Sequence, residues 1–485
     1  MRRYIQKYQI ASFALIIAFI ILFTIYFPAE TYKSDTLWHI RAGEAMIDKR
    51  TILKDDPFSW SANGAKWTAH SWLYEVIIAA IYRNFGFRGL WAITVIFSII
   101  YGLPLFYMTR EKPVGWLAVS FLLVTVIGVE WCIRPHTAML AIFSVFVLAL
   151  VEGVLAKGSP LIYLMTFPLF LIWANIHSSV TAGLITLVIF IIYGMADVKL
   201  LIPALGGTLV NPQWIEIFAY SWRASSNPKI TSAITEWFSP DFHLPWAMAA
   251  MILTLTVMLF IKPHWRKLTI KSVEISLPPV GITLILIGMF LYLKSVRHIA
   301  VLTIMIAAAI RVSDFGIPIR IKNQKKEREI EKIQLAIAMG LFMGTIILAA
   351  GNYGFHPLTV NIETALANDP MNSAVEFMKA TGRTERILND YDIGDYLIWH
   401  GLKPFIDGRA DMYVFNKPEV WDDYIKSIFF EFEKPEAILD KYKIKHIVFR
   451  KDLPYAKYLR NIPGVKMVYE NDEVVVFDYQ RGKEF

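Results

Sequence analysis

Apolar runs long enough to cross a bilayer recur along this chain, separated by shorter polar stretches. Runs near 9–27, 90–108, 114–131, 137–156, 160–176, 179–196, 199–210, 244–261, 277–294, 298–310 and 332–351 predict about eleven transmembrane helices. The fold class expected is therefore a polytopic α-helical membrane protein. The run at 199–210 is short and broken by Pro203 and a glycine pair, which suits a half-span or a re-entrant piece. The N-terminal MRRYIQKYQ and the run behind it are like a signal peptide. That run is long for one, however, and no small-residue cleavage site follows, so an uncleaved first span is expected.

The segment 72–86, WLYEVIIAAIYRNFG, is ambiguous. It is apolar enough for a span, yet short, and it carries Glu75 and Arg83, as a helix lying in the interface does. Charge decides between the two. With 72–86 on the surface, Arg2, Arg3, Lys7, Arg110, Lys112, Lys157, Lys199, Lys262, Arg266, Lys267, Lys271 and the basic loop 311–328 all fall on one side, the cytoplasmic one. Nearly every histidine and most non-terminal acids then collect on the opposite face, in 35–75, 130–136, 175–177, 211–243 and 294–298. Titratable groups gathered at one set of loop ends point to chemistry there.

After residue 352 the composition turns water-soluble. Residues 353–485 predict a small extracytoplasmic α/β domain: an amphipathic helix over 372–379, short strands at 386–389 and 405–406, helices over 420–432 and 436–441, a strand at 446–450, and a hairpin of 466–469 with 474–479. The transmembrane part is then 1–352, with a first outer loop at 28–88.

Composition agrees with this division. Of 485 residues, 55% are hydrophobic and 19% charged, more apolar than a soluble domain requires. The net charge of +8 sits beside the apolar runs, so it reports topology and not nucleic-acid binding. Cys132 is the one cysteine, which excludes an internal disulfide and a thiolate metal cluster. No P-loop, G-x-S-x-G or H-E-x-x-H occurs, so an ATPase, a serine hydrolase and a zincin have no support.

The first long polar interruption, 32–75, places Asp35, His39, Arg41, Glu44, Asp55, Asp56 and His70 among Trp38, Trp60, Trp67 and Trp72. Asp35 follows the first span closely, where a carboxylate can take the proton of an attacking hydroxyl. Asp55-Asp56-Pro57 is a turn signal, and Asp56 equally suits a second carboxylate or a ligand. A divalent metal ion held by Asp35, His39, Asp56 and His70 is possible, although nothing in their spacing demands one. Arg134-Pro135-His136, His177 and Arg297-His298 lie at outer span ends. They offer cations and hydrogen bonds to a phosphate, the alternative being side chains that snorkel to the interface. Glu236, Trp237, Asp241 and His243 form a second acid-aromatic cluster, suited to stacking on and bonding a sugar or to an interfacial belt. Asn389-Asp390-Tyr391 and the 406–411 stretch follow predicted strands, where loops either bind ligands or turn the chain.

This arrangement resembles the GT-C superfamily of membrane glycosyltransferases, in which a first outer loop carries an acid and is followed by two surface helices. Asp35 matches the acid. His70 and the aromatics of AHSWLY, leading into IIAAIYRNFG, match the second surface helix, although the paired prolines often found there are absent. WHIRAGEAMI, DDPFSW, WTAHSWL, CIRPH, WANIHSS, EWFSPDFH and FIDGRADMY resemble a bacterial group of GT-C-like proteins with a soluble C-terminal domain. The resemblance implies transfer of a sugar from a polyprenyl-phosphate donor to an extracytoplasmic glycan, lipid or protein, with inversion. It implies Asp35 as base, with His39, Glu44, Asp56, His70, Trp72, Glu236, Asp241 and His243 as substrate contacts. Arg134, His136, His177, Arg297 and His298 would meet the donor phosphate. A glycolipid flippase would instead need titratable groups at the midplane and an internal repeat, and neither shows. A non-catalytic cell-envelope assembly protein is the other alternative.

Overall fold

The computed structural model of this chain describes residues 34–110, 112–130, 132–156, 158–262, 266–270, 273–315, 362–432 and 434–481. The runs expected at 9–27 and 332–351 lie outside them. The other nine expected runs each coincide with a helix or most of one. In chain order the elements begin with α1 (Ser34–Lys49), α2 (Trp72–Thr109), α3 (Pro113–Glu130), α4 (Pro135–Val151), α5 (Pro160–Ile176), α6 (Val180–Ile192), α7 (Leu201–Leu209), α8 (Glu216–Ser226), α9 (Pro228–Thr231) and α10 (Pro245–Leu259). A two-stranded hairpin, β1 (Arg266–Ile270) and β2 (Val273–Leu277), precedes α11 (Val280–Lys294) and α12 (Ile299–Val312). The hairpin was not legible in the basic loop that holds it. Among the described residues α2 alone is long and apolar enough, by length and composition, to cross a membrane. The other apolar helices are shorter, and a 17-residue helix rises only about 25 Å.

The bundle packs around α12. Every residue from Ile299 to Ile310 is buried, so this helix is surrounded on all sides, and Thr303 satisfies its hydroxyl on the Ile299 carbonyl at 2.8 Å. Tyr101, Phe143, Phe146, Trp173, Phe190 and Tyr292 complete the core. The outer helices are apolar on their exposed faces as well: Leu164, Ile252, Leu259 and Phe290 project outward. A surface of that kind is suited to hydrocarbon. The 199–210 run is helical across Pro203 and lies along α5. There a Cβ at Gly207 would strike the Phe167 carbonyl, so the glycine permits the close approach.

Helix α2 is two limbs. Gly86 breaks it, with φ 61° and ψ −158°. The limb at 72–85 packs against α1 and the C-terminal segment: Arg83 bonds Asp48 at 2.8 Å, and the Tyr82 ring meets Trp399 at 5.5 Å. Carrying this limb through a bilayer would drag those polar partners into hydrocarbon. The limb at 87–109 is the apolar one.

The C-terminal residues form α13 (Ile362–Ala367), α14 (Pro370–Ala380), β3 (Ile387–Asn389), α15 (Ile393–Trp399), α16 (Ala410–Asn416), α17 (Pro418–Ile428), α18 (Ala437–Lys441), β4 (His446–Arg450), α19 (Pro454–Leu459), β5 (Val465–Glu470) and β6 (Val474–Tyr479). The sheet order is β3-β4-β6-β5. β3 runs parallel to β4, the other pairs are antiparallel, and β5–β6 is the expected hairpin. The strand expected at 405–406 is absent. The Asn389 side chain replaces its ladder, accepting from Phe405 N at 2.7 Å and donating to the Ile406 carbonyl at 2.7 Å. The 32–75 stretch is more than a loop, since α1 fills much of it. One face of α1 (Trp38, Ala42, Met46) shares a core with Leu388, Phe405, Tyr413 and Phe477. Leu37 and Ile40 join a second core with Ile387, Leu397 and Val448. The first loop and the C-terminal segment therefore bury one another.

Candidate active site

Four charged side chains meet where α1 begins. Asp35 lies in the first turn of α1. Arg134 is the residue before Pro135, extended at the start of α4, and its guanidinium pairs with Asp35. Thr36 ties the two segments together through the Ile133 carbonyl at 2.9 Å. Arg134 also reaches Glu236 at 3.0 Å, and Glu236 accepts from Arg297 at 3.1 Å. The Arg297 guanidinium rests over the Trp237 ring at 4.5 Å. Short 3-10 turns, Thr235–Trp237 and Val296–His298, hold these last two residues, locked by Ser295 donating to the Glu236 carbonyl at 2.9 Å.

The two carboxyls are driven apart. Burial raises the pKa of Asp35 above the usual aspartate value despite the opposing Arg134. Glu236 would also be raised by burial, but Arg134 and Arg297 together hold it well below the ordinary range. Asp35 is thus the group able to take a proton, while Glu236 stays charged.

The C-terminal segment roofs this site. A Cβ at Gly408 would stand 2.5 Å from Asp35 Oδ1 and 3.0 Å from both Trp38 Nε1 and Asp395 Oδ2. Gly408 N donates to Asp395 at 2.9 Å, and Tyr391 donates to the Gly408 carbonyl at 3.0 Å. Asp392 lies close enough to Asp35 and Glu236 to feel their charge. Burial first, then Asp390, pushes its carboxyl up to about 6 against the pull of Arg450.

Imidazoles line the other side. His39 bonds Glu75 at 3.0 Å and stacks on Trp38 at 3.6 Å. His70 lies 4.7 Å from the Tyr220 ring, whose hydroxyl donates to Asp411 at 3.0 Å. His177 Nδ1 accepts from Ser179 N at 3.0 Å. Burial lowers the pKa of His39, His70 and His177, and for His39 the Arg134 charge and the His70, His177 and His136 rings add to it. These rings are neutral and offer hydrogen bonds, not charge.

Of the residues expected to form a site, Asp35, Arg134, Glu236 and Arg297 come together. His39, His70, His136 and His177 are close enough to influence one another. His298 meets Trp237 edge-on at 6.4 Å. Trp72 donates to Asn175 at 2.6 Å beside this group. The remaining expected residues lie apart from it. Glu44 pairs with Arg41 and Arg83 on a groove of about 540 Å³ between α1 and Trp399–Lys403. Asp241 and His243 bond one another on an exposed turn, with the imidazole 99% exposed. Asp56 is fully buried: it turns the DDPFSW loop through Phe58 N at 2.9 Å and accepts from Arg409 at 2.7 Å. Arg409 also clasps Asp407 twice, at 2.8 and 2.7 Å, and lies over Trp67 at 4.6 Å. The metal set imagined from Asp35, His39, Asp56 and His70 does not form, since Asp56 is committed to Arg409. Among the described residues no group of three or more histidine, cysteine or acidic side chains is arranged to hold a metal ion.

Sequence reasoning assigned no role in the site to Gly408, Asp392, Asp395 or Glu75. Gly408 lies within the noted 406–411 stretch and Asp392 directly follows the noted 389–391, whereas Asp395 sits in the first turn of α15. Glu75 carried a fainter signal, an acid in the first turn of an otherwise apolar helix.

No protein family and no curated relative matches this sequence. Among solved structures, the chain is similar to the archaeal oligosaccharyltransferase AglB from Archaeoglobus fulgidus, solved in complex with an inhibitory peptide and a dolichol-phosphate. Identity is 12%, over 98% of this chain and 74% of that one, with a TM-score of 0.49. It is also similar to the arabinofuranosyltransferase AftD from Mycobacteria at 12% identity and a TM-score of 0.44, over 99% of this chain and 40% of that one. Similarities this low fix neither the fold nor the activity of the present chain.

Proposed function

We propose that this protein is a multi-pass membrane glycosyltransferase that moves a sugar from a polyprenyl-phosphate donor to an extracytoplasmic glycan, lipid or protein. One observation carries the reading: Asp35 shares Arg134 with Glu236, Glu236 shares Arg297, and the four side chains come from separate segments at the same end of the bundle. Such a site contains what displacement of a lipid phosphate by a hydroxyl requires. Asp35 takes the hydroxyl proton as its oxygen attacks the sugar carbon. Arg134 and Arg297 receive the phosphate as it leaves, Glu236 holding them until it arrives. His70, His136 and His177 add neutral hydrogen-bonding groups for sugar hydroxyls or phosphate oxygens. A single displacement inverts the sugar carbon, and one basic carboxylate suffices for it. The C-terminal domain lies on the same outer side and closes the site through Gly408.

The test is transfer in vitro. Purified protein is given labelled polyprenyl-phosphate sugars and envelope acceptors, with Asp35→Asn as control. The expected outcome is inverted product from the wild type and almost none from the variant. Equal turnover by both removes Asp35 as base, because an amide cannot accept that proton.

A further inference from the structure

We propose that His39 and Glu75 form a proton-bearing dyad that donates, through His39 Nε2, to the phosphate oxygen leaving the sugar. This deepens the glycosyl-transfer reading and rests on it.

Asp35 and His39 are four residues apart on α1, so they stand one above the other on one helical face. His39 is held from two sides. Trp38 stacks on the ring at 3.6 Å with planes 30° apart, and Glu75 Oε1 lies 3.0 Å from Nδ1. A Cβ at Gly43 would strike the Glu75 carbonyl, so α1 and α2 approach closely enough for that bond only because position 43 is bare. Glu75 is 1% exposed, and its second oxygen, Oε2, has no hydrogen-bond partner among the described residues. An unpartnered buried oxygen costs far less on a neutral carboxyl than on a carboxylate. The neutral pair has the Glu75 hydroxyl donating to Nδ1, which places the N–H of the imidazole on Nε2. His39 Nε2 makes no hydrogen bond to a described residue.

The charges facing the pair agree. Burial pushes the Glu75 carboxyl up to about 8, with Arg409 opposing and Asp411 reinforcing. Burial keeps His39 neutral, helped by Arg134, His70, His177 and His136. Arg134 among them is assigned to the leaving phosphate, so His39 lies within electrostatic reach of that group.

The step balances. The bond between the sugar carbon and the phosphate oxygen breaks and leaves its electron pair on oxygen. That oxygen takes the proton from Nε2, and the Glu75 proton moves to Nδ1, leaving Glu75 as a carboxylate. On the other face the acceptor oxygen bonds to the sugar carbon and gives its proton to Asp35. The net result is one proton moved from acceptor to phosphate, and exchange with water resets both groups.

The experiment compares wild type, Glu75→Gln and Glu75→Asp. The pH profile of kcat should fall above about 8 in the wild type as the pair loses its proton. In Glu75→Gln this limb should vanish, with kcat down about tenfold or more and KM nearly unchanged. Glu75→Asp, which keeps a carboxyl, should restore the limb. A limb unchanged in Glu75→Gln, at wild-type kcat, overturns the proposal. Histidine-labelled NMR supplies a readout independent of turnover. The imidazole resonance lost in His39→Gln should show a step near pH 8 in the wild type, and its absence overturns the dyad even if transfer occurs. A step seen in a protein that transfers no sugar overturns the glycosyl-transfer reading, and the donation with it, while the proton-bearing pair stands.

Discussion

Two arginine-centred networks lie close together in this molecule and are built to different rules. Around Arg409 everything is closed: Arg409, Asp407 and Asp56 are at most 1% exposed, each guanidinium edge has a carboxylate, and Tyr413 donates a further bond to Asp407 at 2.7 Å. Around Arg134 the side chains are 18 to 32% exposed, and two carboxylates compete for one guanidinium. The closed network fastens the first loop to the C-terminal segment. The open one keeps charge within reach of a ligand. A satisfied buried network fixes a geometry, whereas an oversubscribed one at a hollow can exchange a partner without unfolding.

Substitutions should separate the two. Asp35→Asn in the open network should lower transfer by about 10²- to 10⁴-fold, the range for loss of a general base, with the melting temperature held or raised. Arg409→Leu in the closed network should do the reverse in kind. It strands two buried carboxylates and should lower stability by about 3–5 kcal/mol, read as a shift of the denaturation midpoint. Gly408→Ala sits between them. Its methyl group would press on Asp35 and Asp395, so transfer should fall by about tenfold to a hundredfold with a much smaller change in stability. The smallest effect concerns Asp392. Its carboxyl is raised in the folded protein, so the folded chain holds that proton more tightly than the unfolded one. Stability is then lost as pH rises from about 4 toward 6 and stays lower above it. Because the side chain is 42% exposed, the loss should stay below about 1 kcal/mol, and Asp392→Asn should flatten that part of a stability-against-pH curve.

Asp56 shows how much of this was legible. The sequence DDP announces a turn, and the turn is there, through Phe58 N. The other half of what Asp56 does depends on Arg409, 353 positions away, and no local pattern encodes that. The helices were legible for the same local reason: an apolar run must be buried or face lipid wherever it lies. Arg134 and Arg297 could be nominated because each stands at the end of such a run, and Glu236 because it sits in an acid-aromatic cluster. That Arg134 pairs with Asp35 and links it through Glu236 to Arg297 follows from how the bundle closes. Asn389 is the opposite case, where a strand propensity at 405–406 lost to one amide side chain offering the backbone a better partner.

Gly408 reaching over Asp35 has a consequence for biosynthesis. Asp35 is translated long before Gly408, so a nascent chain holds that carboxyl uncovered over the whole interval between them. A chain interrupted before Gly408 would leave Asp35 without its roof.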